Sequence, residues 1–310
     1  MSNLHQTLED YLAMRRSLGF KLRMAGHYLS DFVSFLEARQ TRFITVALAL
    51  TWAQLPSAAD PSWWAQRLSY VRGFARYCRA FDPRVEIPPT ALLPFQRKRA
   101  KPYFFTDEEI QRLLNAALAQ PAAYGLQGWT YYCLLGLLTV TGLRIGEAIG
   151  LAVRDIDLSE GLLTIHAAKF GKSRLVPLDK STQQVLTEYL MHRQSFLAGR
   201  AVEPLFVNLR SSRLEICQVH RVFRRLLRQV GVCTHTTGHG PRLHDLRHRF
   251  ASTTLLHWYR DGQDVERGLP VLSAYLGHVN PSDTYWYLSA IPELMGSAKA
   301  RLEDYWEPSP

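Results

Sequence analysis

Cysteine is scarce in this chain: Cys78, Cys133, Cys217 and Cys233 are the only four in 310 residues. They are widely spaced, which excludes a disulfide framework and predicts reduced thiols. Long apolar runs are also missing. The longest, Tyr131 to Val140, is interrupted by Gly136 and is half of the roughly 20 residues a membrane-spanning helix needs. The opening MSNLHQTLEDYLAMRR lacks the charged-then-apolar order of an export signal, and its Glu9-Asp10 pair argues against an organellar leader, so a cytoplasmic protein without membrane contact is expected. No internal repeat, low-complexity tract, HExxH or P-loop pattern occurs. Acidic residues are the minority charge, 27 against 37 Lys and Arg, for a net charge of +10. That balance points to a polyanionic partner, most often nucleic acid. With 47% hydrophobic residues the chain is not disordered, and its length suits about two domains.

The charge is uneven. Residues 1–103 hold 15 Lys and Arg against 7 Asp and Glu, and residues 104–310 hold 22 against 20. In the front segment, Leu4, Leu8, Tyr11, Leu12 and Leu18 recur at helical spacing. So do His27, Tyr28, Phe32, Phe35 and Leu36, then Trp64, Leu68, Val71 and Tyr77. An all-helical domain over 1–82 follows. Arg15, Arg16, Lys21, Arg23, Arg67, Arg72, Arg76 and Arg79 fall between the apolar positions, a pattern that suits phosphate contact and equally suits a solvated face. Residues 83–103, with Pro83, Pro88, Pro89 and Pro94 and the cluster Arg97, Lys98, Arg99 and Lys101, read as an extended basic linker. The second domain, 104–310, opens on a capping box at Thr106 to Glu109. A buried helix is expected around 128–140. Leu162–His166 and Arg174–Pro177 read as strands flanking a turn at Phe170-Gly171, and further helices are expected near 181–197, 216–230, 243–257 and 268–290. The fold class is mainly α with a small β-sheet.

Several polar residues stand in apolar frames. Arg144 follows Gly142 in TGLRIGEAIGL, where a helix begins and its free N–H groups can hold an anion; pairing with Glu147 is the structural alternative. His244 and Arg247 in LHDLRHRFAS share a helix face. Lys169 and Lys172 bracket the hairpin turn, and His278 follows a helix-ending glycine before Tyr285, Trp286 and Tyr287. Cys217, His220, Cys233, His235 and His239 resemble scattered zinc ligands but lack paired finger spacing, so no metal is assigned. Together these arginines, lysines, histidines and a tyrosine make a site suited to a phosphate.

TGLRIGEAIGL, KFGKSRLVPL, HDLRHRFAS and LGHVN, with Tyr287 nine residues after His278, resemble the tyrosine recombinase (phage integrase) family over about 104–305. The basic front segment is similar in placement to that family's core-binding domain. The resemblance implies a C-shaped clamp around duplex DNA, helical in front and α+β behind, that cuts and rejoins strands through a 3′-phosphotyrosyl intermediate without metal, ATP or other cofactor. By position, it makes Tyr287 the nucleophile, Arg144 and Arg247 the phosphate clamp, and Glu147 their support. Lys169 matches the hairpin general acid, with Lys172 as alternate, and His244 and His278 assist proton transfer and phosphate contact. Tyr285 sits about 200° from Tyr287 on a helix, so only one can serve. Arg97, Lys98, Arg99, Lys101, Arg72 and Arg76 are the expected DNA contacts.

The implied partner is double-stranded DNA carrying a recombination site, bound as a dimer per site and a tetramer in all, with companion recombinases an open possibility. The GQDVERGLPVLSAYLGH and SDTYWYL runs look similar to transposon-borne recombinases, which favours a mobile-element role. The segment 257–270 reads as an insertion contacting DNA or a partner. The tail 288–310, with Leu288, Ile291, Leu294, Met295 and Leu302, reads as docking on a neighbouring protomer. Two rival functions are a type IB topoisomerase and a DNA-binding regulator that has lost catalysis.

Overall fold

The computed structural model describes residues 4–95, 102–121, 125–166, 173–232, 240–278, 280, 282–290, 295, 296 and 299. The chain forms two compact units, Met1–Arg99 and Ala100–Pro310. Among the described residues no helix is long and apolar enough to cross a membrane, and Cys78, Cys133 and Cys217 are free thiols.

The front unit contains α1 (Leu4–Ser17), α2 (Arg23–Glu37), α3 (Val46–Gln54) and α4 (Pro61–Arg79). Their apolar faces meet in a core of Leu8, Leu12, Leu29, Phe32, Leu36, Trp52, Leu68, Val71 and Phe74. Side-chain caps start the later helices: Thr45 accepts from the Leu48 N–H, and Asp60 accepts from the Ser62 N–H ahead of a Pro61 first turn. Leu18, expected inside the first helical stripe, lies beyond its end and is exposed.

One expectation for this unit is corrected. Part of the linker is packed structure. Val85 is buried, the Glu86 N–H donates to Ile44 O (2.8 Å) and the Glu86 carboxylate accepts from the Val46 N–H (2.6 Å). Basic residues of α4 are tied to the same segment. Arg72 donates to the carbonyls of Pro88 (2.8 Å) and Pro89 (2.7 Å), and Arg79 to that of Val85 (3.0 Å). Prolines have no N–H, so their segment makes no ladder of its own and arginines meet its carbonyls. Arg67 is buried over the Trp52 ring (3.8 Å) and donates to Trp52 O (2.9 Å). These arginines hold the fold. Arg76 is exposed, and Arg97, Lys98, Arg99 and Lys101 lie outside the described residues.

The second unit begins with α5 (Asp107–Leu118), whose capping box is formed as expected: Glu109 N–H to Thr106 Oγ1 (3.2 Å) and Thr106 N–H to Glu109 Oε2 (2.9 Å). Next comes α6 (Gln127–Thr141), buried on nearly every side as the central helix of the main core, which its all-round apolar sequence requires. The one-turn α7 (Ile145–Ala148) leads into β1 (Ile156–Asp157), β2 (Leu162–Ile165) and β3 (Arg174–Pro177). The sheet is antiparallel in the order β1-β2-β3, with Leu162 opposite Pro177 and Ile165 opposite Arg174. Then follow α8 (Lys180–Leu197), α9 (Ile216–Gln229), α10 (Leu243–Arg260), α11 (Val265–Leu276) and α12 (Ser282–Ala290).

The helix expected over 268–290 is two helices, divided at Gly277, whose φ of 65° ends α11. The segment 257–270 consists of two helix ends and the turn between them. Val265 and Leu269 belong to a second core with Leu255, Leu272, Leu276 and Tyr287, and a Cβ on Gly268 would meet the Trp258 ring at 2.5 Å. Of the tail residues, Ile291, Leu294 and Leu302 lie outside the described residues; Met295 is exposed. Among the described residues of this unit, α9 carries an exposed basic face, where Arg221, Arg224, Arg225 and Arg228 lie opposite buried Val219, Val222, Phe223 and Leu226.

Candidate active site

Two glycines form the corners on which the site is built. Gly142 ends α6 with φ 61°, and Gly277 ends α11, both in the left-handed region that side chains rarely adopt. A helix C-terminus leaves carbonyls unpaired and carries partial negative charge. Arginines meet these carbonyls. Arg247 donates from Nη1 to Gly142 O (2.7 Å) and from Nη2 to Leu276 O (2.6 Å), while Arg144 Nη2 donates to Gly277 O (3.0 Å). Each of those nitrogens carries a second hydrogen, so the forks are anchored while retaining donors for a ligand.

Arg144 caps α7, and three residues on, Glu147 holds it: Glu147 Oε1 accepts from Arg144 Nη1 (2.9 Å) and Oε2 from the Arg144 N–H (3.0 Å). The same carboxylate accepts both forks of Arg174 from β3, at 3.1 and 2.8 Å. Burial works against the charge on Glu147, but the hydrogen bonds of Arg174 and Arg144 outweigh it and hold the carboxyl at about 2. Burial and then the neighbouring Arg144 lower Arg247 to about 10, leaving it charged at neutral pH.

α10 contributes His244 and His248, one turn apart, with rings edge-on at 4.6 Å. Burial first, then Arg247, lowers His244 to about 4. His278 lies just past Gly277, is lowered to about 4 by burial and then by Arg247 and Arg144, and its Nδ1 is 2.7 Å from Thr284 Oγ1. At neutral pH both imidazoles are uncharged. α12 delivers Tyr287, 2% exposed, with its ring 5.5 Å from that of His248 and 6.3 Å from that of His278, and within electrostatic range of Arg247. Tyr285, two residues earlier, is 52% exposed, so the helix turns Tyr287 inward and Tyr285 outward.

The structure therefore brings together Arg144, Glu147, His244, Arg247, His278 and Tyr287. Lys169 and Lys172 lie outside the described residues, as do Cys233, His235 and His239. Among the described residues no group of three His, Cys, Asp or Glu side chains could hold a metal. Sequence reasoning missed Arg174, His248 and Thr284. Arg174 could have been found from the strand register, which places it at the end of β3 opposite Ile165. Three guanidiniums face one carboxylate here, since the buried Asp245 of α10 is paired with Arg242 (2.9 Å). The arrangement is suited to an anion, with a buried phenol and two neutral imidazoles beside it.

Arginines, histidines and a tyrosine thus gather beside a three-stranded sheet, and comparison with known proteins gives the family. The phage integrase family model matches residues 103–293, and the chain belongs to that family. It is 54% identical to the putative integrase/recombinase y4rB of Sinorhizobium fredii over 99% of each chain, and 32% identical to y4rE of the same strain over 96% of this chain and 95% of that one. It is 31% identical to tyrosine recombinase XerD of Mycobacterium tuberculosis over 90% of this chain and 84% of that one. In fold it is similar to the Tn1549 transposon integrase solved with transposon right end DNA, with a TM-score of 0.68 at 15% identity over 97% and 99% of the two chains.

Proposed function

We propose that this chain is a site-specific DNA recombinase that breaks and rejoins strands through a covalent link between Tyr287 and a DNA 3′-phosphate. The observation that carries this reading is the burial of Tyr287 within reach of Arg247, in a site that also holds Arg144, His244 and His278. The Tyr287 phenolic oxygen attacks the scissile phosphorus, the phosphorus–5′-oxygen bond breaks, and the 5′-oxygen leaves with a proton. Lys169 donates that proton, with Lys172 as the alternate. Arg144 and Arg247 offset the charge on the equatorial oxygens. Tyrosine has an ordinary pKa of about 10, so attack draws on the field of these arginines and on a neutral imidazole as proton acceptor, the role of His244. One phosphoester replaces another, so a different 5′-hydroxyl can reverse the step without ATP.

The substrate is duplex DNA. The arginine face of α9, Arg76, and the linker cluster Arg97, Lys98, Arg99 and Lys101 contact its phosphates, with the protein working as a dimer per site and a tetramer in the full reaction. A lambda integrase tetramer solved on a Holliday junction shares the fold and supports that stoichiometry. Integration or excision of a mobile element is the role we assign, in keeping with the integrase/recombinase name of the 54% identical relative.

Covalent capture tests the reading: fragmented source DNA is incubated with wild type, Tyr287→Phe and Tyr285→Phe, the protein is denatured, and DNA that stays attached is sequenced. Adducts at a discrete site, lost only in Tyr287→Phe, are expected. Adducts that survive Tyr287→Phe would remove Tyr287 as nucleophile, and adducts scattered along the DNA would point to topoisomerase-like relaxation.

A further inference from the structure

Thr284 is a buried hydroxyl to which the reaction as written gives no task. It is 1% exposed on α12, and its Oγ1 is 2.7 Å from His278 Nδ1. A buried hydroxyl is costly unless hydrogen-bonded, and a β-branched residue gains nothing from a helix interior. Its sequence position is informative as well. Thr284 precedes Tyr287 by three residues, so the two side chains share one face of α12. His278 does not belong to that helix; it follows Gly277 at the end of α11, beside the carbonyls that hold Arg144 and Arg247. A neutral imidazole has a single ring proton, and the partner of one nitrogen decides whether the other is a donor or an acceptor.

We propose that Thr284 is a positioning residue: its hydroxyl donates to His278 Nδ1, fixing the ring proton on Nε2, the nitrogen that serves the phosphate between Arg144 and Arg247, and it does so only while α12 is seated. The inference rests on the phosphoryl-transfer reading. The direction of the bond follows from charge. An Nε2 lone pair aimed at a phosphate oxygen is repelled, whereas an Nε2–H is attracted. Burial and the two arginines keep His278 neutral near pH 7, which makes the tautomer the deciding property. Because Thr284 and Tyr287 ride on one helix, a protomer whose α12 is displaced lacks both the nucleophile and the oriented histidine.

The test compares Thr284→Val, which keeps the shape and loses the hydroxyl, with Thr284→Ser, which keeps the hydroxyl. Nitrogen-15 imidazole spectra of the free protein report the His278 tautomer, and single-turnover cleavage of captured-site DNA reports the reaction. Wild type and Thr284→Ser should show one Nε2–H form. Thr284→Val should show mixed tautomers and cleave about 10- to 100-fold more slowly at unchanged DNA affinity, the usual size of loss when an orienting partner is removed. A single Nε2–H form in Thr284→Val would overturn the proposal, as would an Nδ1–H form in wild type or an equal loss in both variants. The spectra need no DNA, so a chain that formed no covalent adduct would sink the functional reading alone, and the ring signals would still decide Thr284.

Discussion

Arg144 and Arg174, thirty residues apart in sequence, hold both oxygens of the single carboxylate of Glu147. Neither arginine could be kept at such close quarters with the other without that negative charge between them. Removing one member of a buried, hydrogen-bonded ion cluster typically costs about 3–5 kcal/mol. Glu147→Ala should therefore lower unfolding free energy by about 3 kcal/mol in urea titrations and abolish cleavage. Glu147→Gln, which keeps the shape, should lose less stability and still cleave slowly.

Gly142 gives a sharper structural test. Its φ of 61° already disfavours a side chain, and a Cβ would meet Phe250 Cδ1 at 2.6 Å. Gly142→Ala should destabilise the protein by at least about 1 kcal/mol. It should also reduce cleavage more than its stability loss accounts for, because the Gly142 carbonyl holds Arg247. Thermal melts and single-turnover rates on one preparation separate the two effects.

Acid should weaken the free protein. His244 has its pKa lowered from 6.5 to about 4 on folding, so between those values the unfolded chain binds more protons than the folded one and stability falls as pH falls. At 1.36 kcal/mol per unit, His244 accounts for at most about 3 kcal/mol of that loss. His278 acts in the same direction. Glu147, lowered from 4.5 to about 2, adds a further loss as pH falls through that interval. Urea unfolding at pH 7.5 and 5 should show the drop, and His244→Phe should flatten it. Bound DNA should raise both histidine midpoints, because a phosphate favours the charged ring; imidazole titration by NMR measures this.

The two arginine populations should separate by salt dependence. Arg221→Gln and Arg224→Gln, on the exposed face of α9, should each reduce the slope of log affinity against log salt by about 1 and leave stability within about 0.5 kcal/mol. Arg72→Met should leave the slope unchanged and lower the melting temperature, since its fork holds the Pro88 and Pro89 carbonyls.

What the sequence could and could not disclose follows a physical division. Periodicity and caps depend on neighbours in the chain, so α5, α6, α8, α9, α10 and the β2–β3 hairpin were legible, as was the segregation of Tyr287 from Tyr285. The helix α3, VALALTWAQ, was not, because it has no polar alternation to mark a period. Arg67, Arg72 and Arg79 read as possible DNA contacts because a sequence displays charges and conceals the backbone carbonyls that receive them. The same blindness hid Arg174, whose partner lies 27 residues away, and Thr284, whose meaning depends on how α12 faces the end of α11.

The last turn of α11 has a consequence for how this enzyme fails. The carbonyls of Leu276 and Gly277 at its end hold Arg247 and Arg144 respectively. Fraying is ordinarily the least costly motion of a helix, local and without effect elsewhere. Here it would remove one tether from each guanidinium at once, leaving Arg247 on the Gly142 carbonyl and Arg144 on Glu147. Amide exchange at the end of α11 should then track loss of strand cleavage on heating, with the rest of the chain still protected, so that the protein falls silent at a temperature where a melting curve still records it as folded.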